Sequence, residues 1–402
     1  MNRPLRILVI ADYRYPLREP LRGGLETHEW NLVRELRRRG HDVTLAAKEG
    51  SDFLENSPPA LVYPELPWPL SAPRSDAHLP DEVAAHQAAC LHTVMDHLAV
   101  EGRGFDVVHN HAVSTVPLTR AAEIPVPLFT TLHTPPRMDL VDVIDSAGAE
   151  RVFTVSRYAQ SSWANAGVAT DVVTNGADAT VWPLGAGGPG LCWFGRIVPE
   201  KYPHLAVDVA TRIGVPLRII GPIGDPDYFD AYVAPAIARS HGLVDYLGCL
   251  SQRETAEVVG ASAATVVTPM WNEPFGQVVI ESLFCGTPVV ALERGAFADL
   301  YSDVDGVTLV PAARADDEVL DDLAEATRRV LTASSSGAVG TARARIRDHA
   351  VSRFSVGACA EVLLDRFTAA VAARTPDLGT VGPDREGSRL GASRLARTGG
   401  AG

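Results

Sequence analysis

At 402 residues, 46% hydrophobic and 21% charged, the chain is long enough for two cores and a short appendage, taking roughly 150 residues per domain. A net charge of −13, from 36 basic and 49 acidic residues, argues against nucleic acid as a partner, because a phosphate backbone needs a basic surface. No apolar run is long enough to span a bilayer, and Met1 leads directly into a strand-like segment without a secretory leader, so the expected location is the cytoplasm. Cys90, Cys192, Cys249, Cys285 and Cys359 are scattered without metal-ligand spacing, as reduced thiols would be.

The first half alternates short apolar strands (7–11, 43–47, 106–109, 128–132, 151–155 and 171–174) with amphipathic segments. That alternation predicts a parallel sheet with helices on both faces. A Gly/Pro-rich stretch at 183–190 breaks the pattern and reads as an interdomain linker. The alternation then restarts at 191–194, 216–220, 244–247, 265–268, 288–291 and 307–310, which predicts a second Rossmann-like domain. Two or three helices follow over 316–374, and 375–402, rich in Gly, Arg, Ser and Pro, reads as disordered. The expected domains are therefore 1–184, 185–355, a C-terminal helix over 356–374 able to cross back to the first domain, and the tail 375–402.

After the first strand, Gly23 and Gly24 open a helix whose apolar positions are Leu25, Leu32, Val33 and Leu36. A glycine pair at a helix N-terminus lets anionic oxygens approach backbone N–H groups, although a plain flexible turn explains it too. No Gly-x-Gly-x-x-Gly follows that strand, which counts against a nicotinamide-dependent dehydrogenase. In the second half, Gly195-Arg196 and Pro199-Glu200-Lys201 lie where a strand gives way to a helix, the edge at which open α/β sheets bind ligands. An arginine fork and a lysine point charge there suit a diphosphate. Lys48 and Lys201 are the only lysines, so Lys201 is not routine surface filler.

The segment from Met270 to Ser282 follows a buried strand and carries Glu273 on a loop and Glu281 in the helix that Gly276 opens. Carboxylates so placed suit sugar hydroxyls, and the amides near Phe275 and Gly276 suit polar or anionic groups. The competing explanation for Glu281, set among Val279, Ile280, Leu283 and Phe284, is a structurally paired buried acid. His133 ends an apolar strand at its carboxyl edge, and His109 and His111 sit at a similar edge as weaker candidates. Arg34, Arg37, Arg38 and Arg39 end one helix, which fits the helix dipole or a peripheral membrane contact.

Taken in order, the Gly23-Gly24 loop, the strand Phe105-Asp106-Val107-Val108-His109, Thr131-Leu132-His133, Asn175-Gly176-Ala177-Asp178, Gly195-Arg196, Pro199-Glu200-Lys201 and Glu273 with Glu281 resemble the retaining GT-B glycosyltransferases of family 4. The resemblance covers residues 6 to 374. It implies two facing Rossmann-like domains with parallel sheets and an interdomain cleft, an acceptor over the N-terminal domain and a nucleoside-diphosphate sugar on the C-terminal one. It also implies roles: Arg196 and Lys201 hold the diphosphate beside Gly23 and Gly24. Glu273, with amides of Phe275 and Gly276, meets the transferred sugar. Glu281 binds the ribose, and His133 stands near the reacting carbon. The family commonly has glycine after the lysine, whereas this chain has Tyr202. No Asp-x-Asp cluster marks a strand end, so the expected reaction uses no metal or other cofactor. A GT-B-shaped epimerase or phosphorylase and a non-catalytic sugar-nucleotide binder are the alternatives.

Overall fold

The computed structural model describes residues 3–66, 79–144, 151–312, 316–334 and 339–374. The expected disorder of 375–402 falls outside these residues. The first sheet contains β1 (Arg6–Ile10), β2 (Asp42–Lys48), β3 (Val62–Tyr63), β4 (Val107–Asn110), β5 (Leu128–Leu132), β6 (Val152–Thr154) and β7 (Asp171–Val172). Its order is β3-β2-β1-β4-β5-β6-β7, all parallel. The second contains β8 (Leu191–Phe194), β9 (Leu217–Ile220), β10 (Val244–Tyr246), β11 (Ala264–Val267), β12 (Val289–Glu293) and β13 (Val307–Pro311), in the order β10-β9-β8-β11-β12-β13 and again parallel. Helices cover both faces of each sheet, which is why the central strands β1, β5, β8 and β11 are buried nearly throughout, mostly by apolar residues with Thr130 and Thr131 of β5 among the polar exceptions. In both sheets the order reverses beside the first strand, the place where such sheets open a crevice at their carboxyl edge.

The Gly/Pro-rich segment after Trp182 is seated against the second domain rather than strung free between the two. Gly185 N donates to Cys285 O and Gly187 N to Gly260 O, while the guanidinium of Arg343 donates to the carbonyls of Gly185, Gly260, Ser262 and Cys285. The helix Val356–Arg374 packs on the N-terminal domain. Its Cys359, Ala360, Leu363 and Phe367 are buried with Ile7, Val9, Leu32 and Phe129, so the last helix ties the two sheets together.

The arginines closing the helix Gly24–Arg38 are committed within the fold. Arg38 and Arg39 both pair with the buried Glu35, Arg39 also donates to Gly357 O at the start of the crossing helix, Arg37 pairs with Glu55, and Arg34 lies 3.6 Å from Asp178. These pairings favour the structural explanation over a membrane-facing patch. Among the described residues no helix is long and apolar enough to cross a membrane.

Candidate active site

A cavity of about 520 Å³ lies between the two sheets, lined from one side by Arg14, Gly23, Gly24, Glu26 and His133 and from the other by Arg196, Lys201, Glu273, Gly276 and Glu281. The two walls nearly touch. A Cβ added to Gly24 would lie 3.4 Å from Gln277 Cβ, and one on Gly23 would lie 3.5 Å from a nitrogen of Arg196. Polar bonds close the gap elsewhere: Gln277 Nε2 donates to Gly176 O at 3.1 Å, Ser156 Oγ to Pro274 O at 2.8 Å, and Glu19 accepts from both the backbone and side chain of Gln252 at 3.2 Å.

On the C-terminal wall, Arg196 follows β8 and Lys201 sits in the short turn Pro199–Lys201. Lys201 Nζ is paired with the Glu273 carboxylate and lies 4.8 Å over the Trp271 ring. Arg196 reaches across the cleft, with its guanidinium 5.5 Å from the ring of Tyr15 and 3.4 Å from its hydroxyl. Tyr202 takes φ 52° and ψ 48°, the left-handed conformation glycine adopts most readily, so the backbone keeps the glycine shape despite the side chain. Its ring lies 4.0 Å from that of His204, tilted by 56°.

Glu281 lies on the helix Gln277–Phe284, 5% exposed and lining the cavity. Burial pushes its pKa up to about 8, only partly opposed by a hydrogen bond with Gln277, so it carries a proton at neutral pH. The alternative of a structurally paired buried acid has its partner in Gln277, through a hydrogen bond and not an ion pair. Phe275 has its ring in the core, edge-on to Tyr301 and Phe354, while its carbonyl accepts from the Tyr301 hydroxyl at 2.9 Å. Gly276 has φ 83°, and a Cβ there would fall 2.4 Å from Phe297 Cε1, so glycine is required where the helix begins.

On the N-terminal wall, His133 lines the cavity at the end of β5, and the weaker candidates His109 and His111 are linked to it. His133 Nε2 is 2.9 Å from His111 Nδ1, and His111 Nε2 is 3.1 Å from His109 Nδ1. Burial holds all three imidazoles neutral, His109 near 3 and the other two well below the usual histidine range.

Tyr15 and Glu26 were not anticipated from the sequence. Glu26 is 4% exposed, and burial lifts its pKa to about 7 against the opposing pull of Arg196. Its signal was present: Glu26 and Glu29 occupy the buried stripe with Val33 and Leu36, whereas Leu25, expected inward, lines the cavity. Nothing local marks Tyr15, because its partner is 181 residues away.

Residues 22–181 match Glycosyltransferase Family 4, and residues 183–337 match Glycosyl transferases group 1. The chain belongs to family 4 of the glycosyltransferases. It is 27% identical to a D-inositol 3-phosphate glycosyltransferase of Mycobacteroides abscessus, over 92% of this chain and 90% of that one. It is also 27% identical to a phosphatidyl-myo-inositol mannosyltransferase of Propionibacterium freudenreichii, over 71% and 77%. Among solved structures, sucrose-phosphate synthase from Thermosynechococcus elongatus superposes with a TM-score of 0.72 at 15% identity, covering 92% of this chain and all of that one. HepE of Anabaena, solved with UDP and glucose, gives 0.67 at 18% identity, covering 91% of this chain and all of that one. The fold is GT-B and the enzyme is a nucleotide-sugar glycosyltransferase, a reading these comparisons favour over an epimerase, a phosphorylase or a silent binder.

Proposed function

We propose that this glycosyltransferase moves a sugar, with retention at the anomeric carbon, from a nucleoside diphosphate to an acceptor hydroxyl held on the N-terminal wall. The observation that carries the reading is a single cavity in which two cations, Arg196 and Lys201, share the C-terminal wall with Glu273 and Glu281, opposite His133. Arg196 and Lys201 take the diphosphate, where negative charge grows as the bond from the anomeric carbon to its leaving oxygen breaks. The acceptor oxygen attacks from the same face, and its proton passes to the departing phosphate. Glu281, protonated in the free enzyme, offers its carbonyl oxygen to a ribose hydroxyl, Glu273 orients the sugar, and His133 stands at the reacting carbon.

Because two fixed cations already lie where the leaving group would sit, the reaction proceeds without a metal. Arg14 and Arg137 line the acceptor side of the cavity, and of the relatives one is named for D-inositol 3-phosphate and another for phosphatidyl-myo-inositol. Both points support an acceptor carrying an anionic group beside its hydroxyls. Five unpaired cysteines support action in the reducing cytoplasm. The test is release of nucleoside diphosphate from a panel of nucleotide sugars, with and without polyol-phosphate acceptors and with EDTA, followed by NMR of the product's anomeric linkage. Acceptor-dependent release that survives EDTA and gives a retained linkage is expected. Acceptor-independent release, inversion, or abolition by EDTA with Mg²⁺ rescue would each overturn the corresponding part.

A further inference from the structure

The two strands β4 and β5 carry an unusual pattern on one face. His109 pairs in register with Phe129, so His109 and His111 on one strand lie beside Thr131 and His133 on the next. Side chains two apart share a face, and all four meet. His109 Nε2 is 2.8 Å from Thr131 Oγ1, which completes an unbroken chain from Thr131 through His109 and His111 to His133. Thr131, His109 and His111 are 5% exposed or less. Phe367 of the crossing helix closes the inner end, with its ring 5.3 Å from His109, and His28 packs its ring 5.7 Å from His111 and 5.6 Å from His133. No carboxylate or cation takes part in the chain, and burial keeps every imidazole in it neutral.

A neutral imidazole has one donating and one accepting nitrogen, so a chain of them has a direction. If the Thr131 hydroxyl donates, His109, His111 and His133 all carry their proton on Nδ1. If it accepts, all three carry it on Nε2. A mixed set would set two N–H groups or two lone pairs against each other in a dry interior, at the cost of a lost buried hydrogen bond. His133 Nε2 is used inward, which leaves Nδ1 as the ring's remaining polar atom for the cavity.

We propose that Thr131, His109 and His111 are positioning residues that act on sugar transfer through His133, locking the three imidazoles into one shared tautomer and so deciding whether His133 offers the cleft a donor or an acceptor. The proposal rests on the reading of this cleft as the transfer site. A hydroxyl at the far end can serve either direction, so the chain admits both shared tautomers and no mixed one.

The experiment is ¹⁵N NMR of histidine-labelled full-length protein, alone and with bare nucleoside diphosphates and nucleotide sugars, reading which nitrogen of each ring is protonated. His109, His111 and His133 are expected to share one tautomer in every state, and a mixed set in any state overturns the proposal. A kinetic arm uses Thr131→Val, which keeps the volume but removes the terminal hydroxyl, and Thr131→Ser, which restores it. Thr131→Val is expected to blur the His133 tautomer and lower kcat by about threefold or more with nucleoside diphosphate affinity unchanged, and Thr131→Ser to recover both. Unchanged spectra and kcat in Thr131→Val contradict the proposal. Should Thr131→Val not fold, the wild-type spectra still decide it. Absence of transfer with any donor would sink the reading of the cleft, while the shared tautomer would stand or fall by the spectra alone.

Discussion

Lys201 and Glu273, 72 positions apart in sequence, form an ion pair inside the cleft, with the lysine resting over Trp271. The cation assigned to the diphosphate is thereby tied to the carboxylate assigned to the sugar. A donor must enter this pair from the lysine side, and the carboxylate offsets some of the attraction Lys201 offers to phosphate. Glu273→Gln should therefore tighten bare nucleoside diphosphate binding by a few-fold while lowering kcat at least about tenfold, because it strips the phosphate cation of its competitor and the sugar of its charged contact. Lys201→Ala should weaken the bare nucleotide. Calorimetry and initial rates check both, and a Glu273→Gln enzyme that loses nucleotide affinity would show that the pair shapes the site instead.

Glu281 gives a pH signature. With a pKa near 8 in the folded chain against an ordinary carboxyl value near 4.5, it holds a proton between those limits that the unfolded chain has released. The folded state binds more protons across that window, so its stability falls as pH rises through it. Glu281→Gln removes this loss. Its melting temperature relative to wild type is expected to climb from pH 5 to about pH 8 and to level off above that, whereas a constant difference would mean that Glu281 is ionised throughout.

Gly276→Ala combines a left-handed φ of 83° with a contact of 2.4 Å to Phe297. The cost should be on the order of 1–3 kcal/mol, seen as a lower urea midpoint with an unchanged m-value, together with weaker donor binding because the helix start shifts. Wild-type stability in this variant would mean that the loop accommodates the methyl freely. Tyr202→Gly is the converse: the backbone already adopts the glycine conformation, so nucleotide affinity should stay within about twofold.

His133→Ala should slow transfer about tenfold or more while leaving nucleoside diphosphate affinity intact, because the ring faces the cleft from the wall opposite Arg196 and Lys201. Steady-state kinetics beside calorimetry separates the two effects. An equal loss in both would place His133 at the nucleotide.

Much of this site could be read in the sequence because its parts are local. Arg196, Lys201, Glu273 and Glu281 each follow a buried apolar strand, and a strand followed by a helix fixes which end of the sheet they occupy. The strands themselves were found to within a residue or two, except β3, whose two residues Val62 and Tyr63 are too few to show alternation. What stayed hidden depends on distant partners. The contact between Tyr15 and Arg196 has no local trace. The histidine chain needs the register of β4 against β5, which no single segment encodes. In the helix after Gly24, Leu32, Val33 and Leu36 are buried as their spacing implies, but the acids Glu26 and Glu29 are buried beside them, Glu26 against the cleft and Glu29 accepting from Asp12 N.

Titration of a bare nucleoside diphosphate and of the matching sugar donor into Glu281→Ala and Glu273→Ala tests the placement of the donor most directly. Glu281→Ala should weaken both ligands alike by about 1 kcal/mol, the worth of one neutral hydrogen bond. Glu273→Ala should tighten the bare nucleotide a few-fold, as Glu273→Gln does, and weaken only the ligand that carries the sugar. Equal losses for both ligands in both variants, or lowered melting temperatures with unchanged affinities, would contradict it.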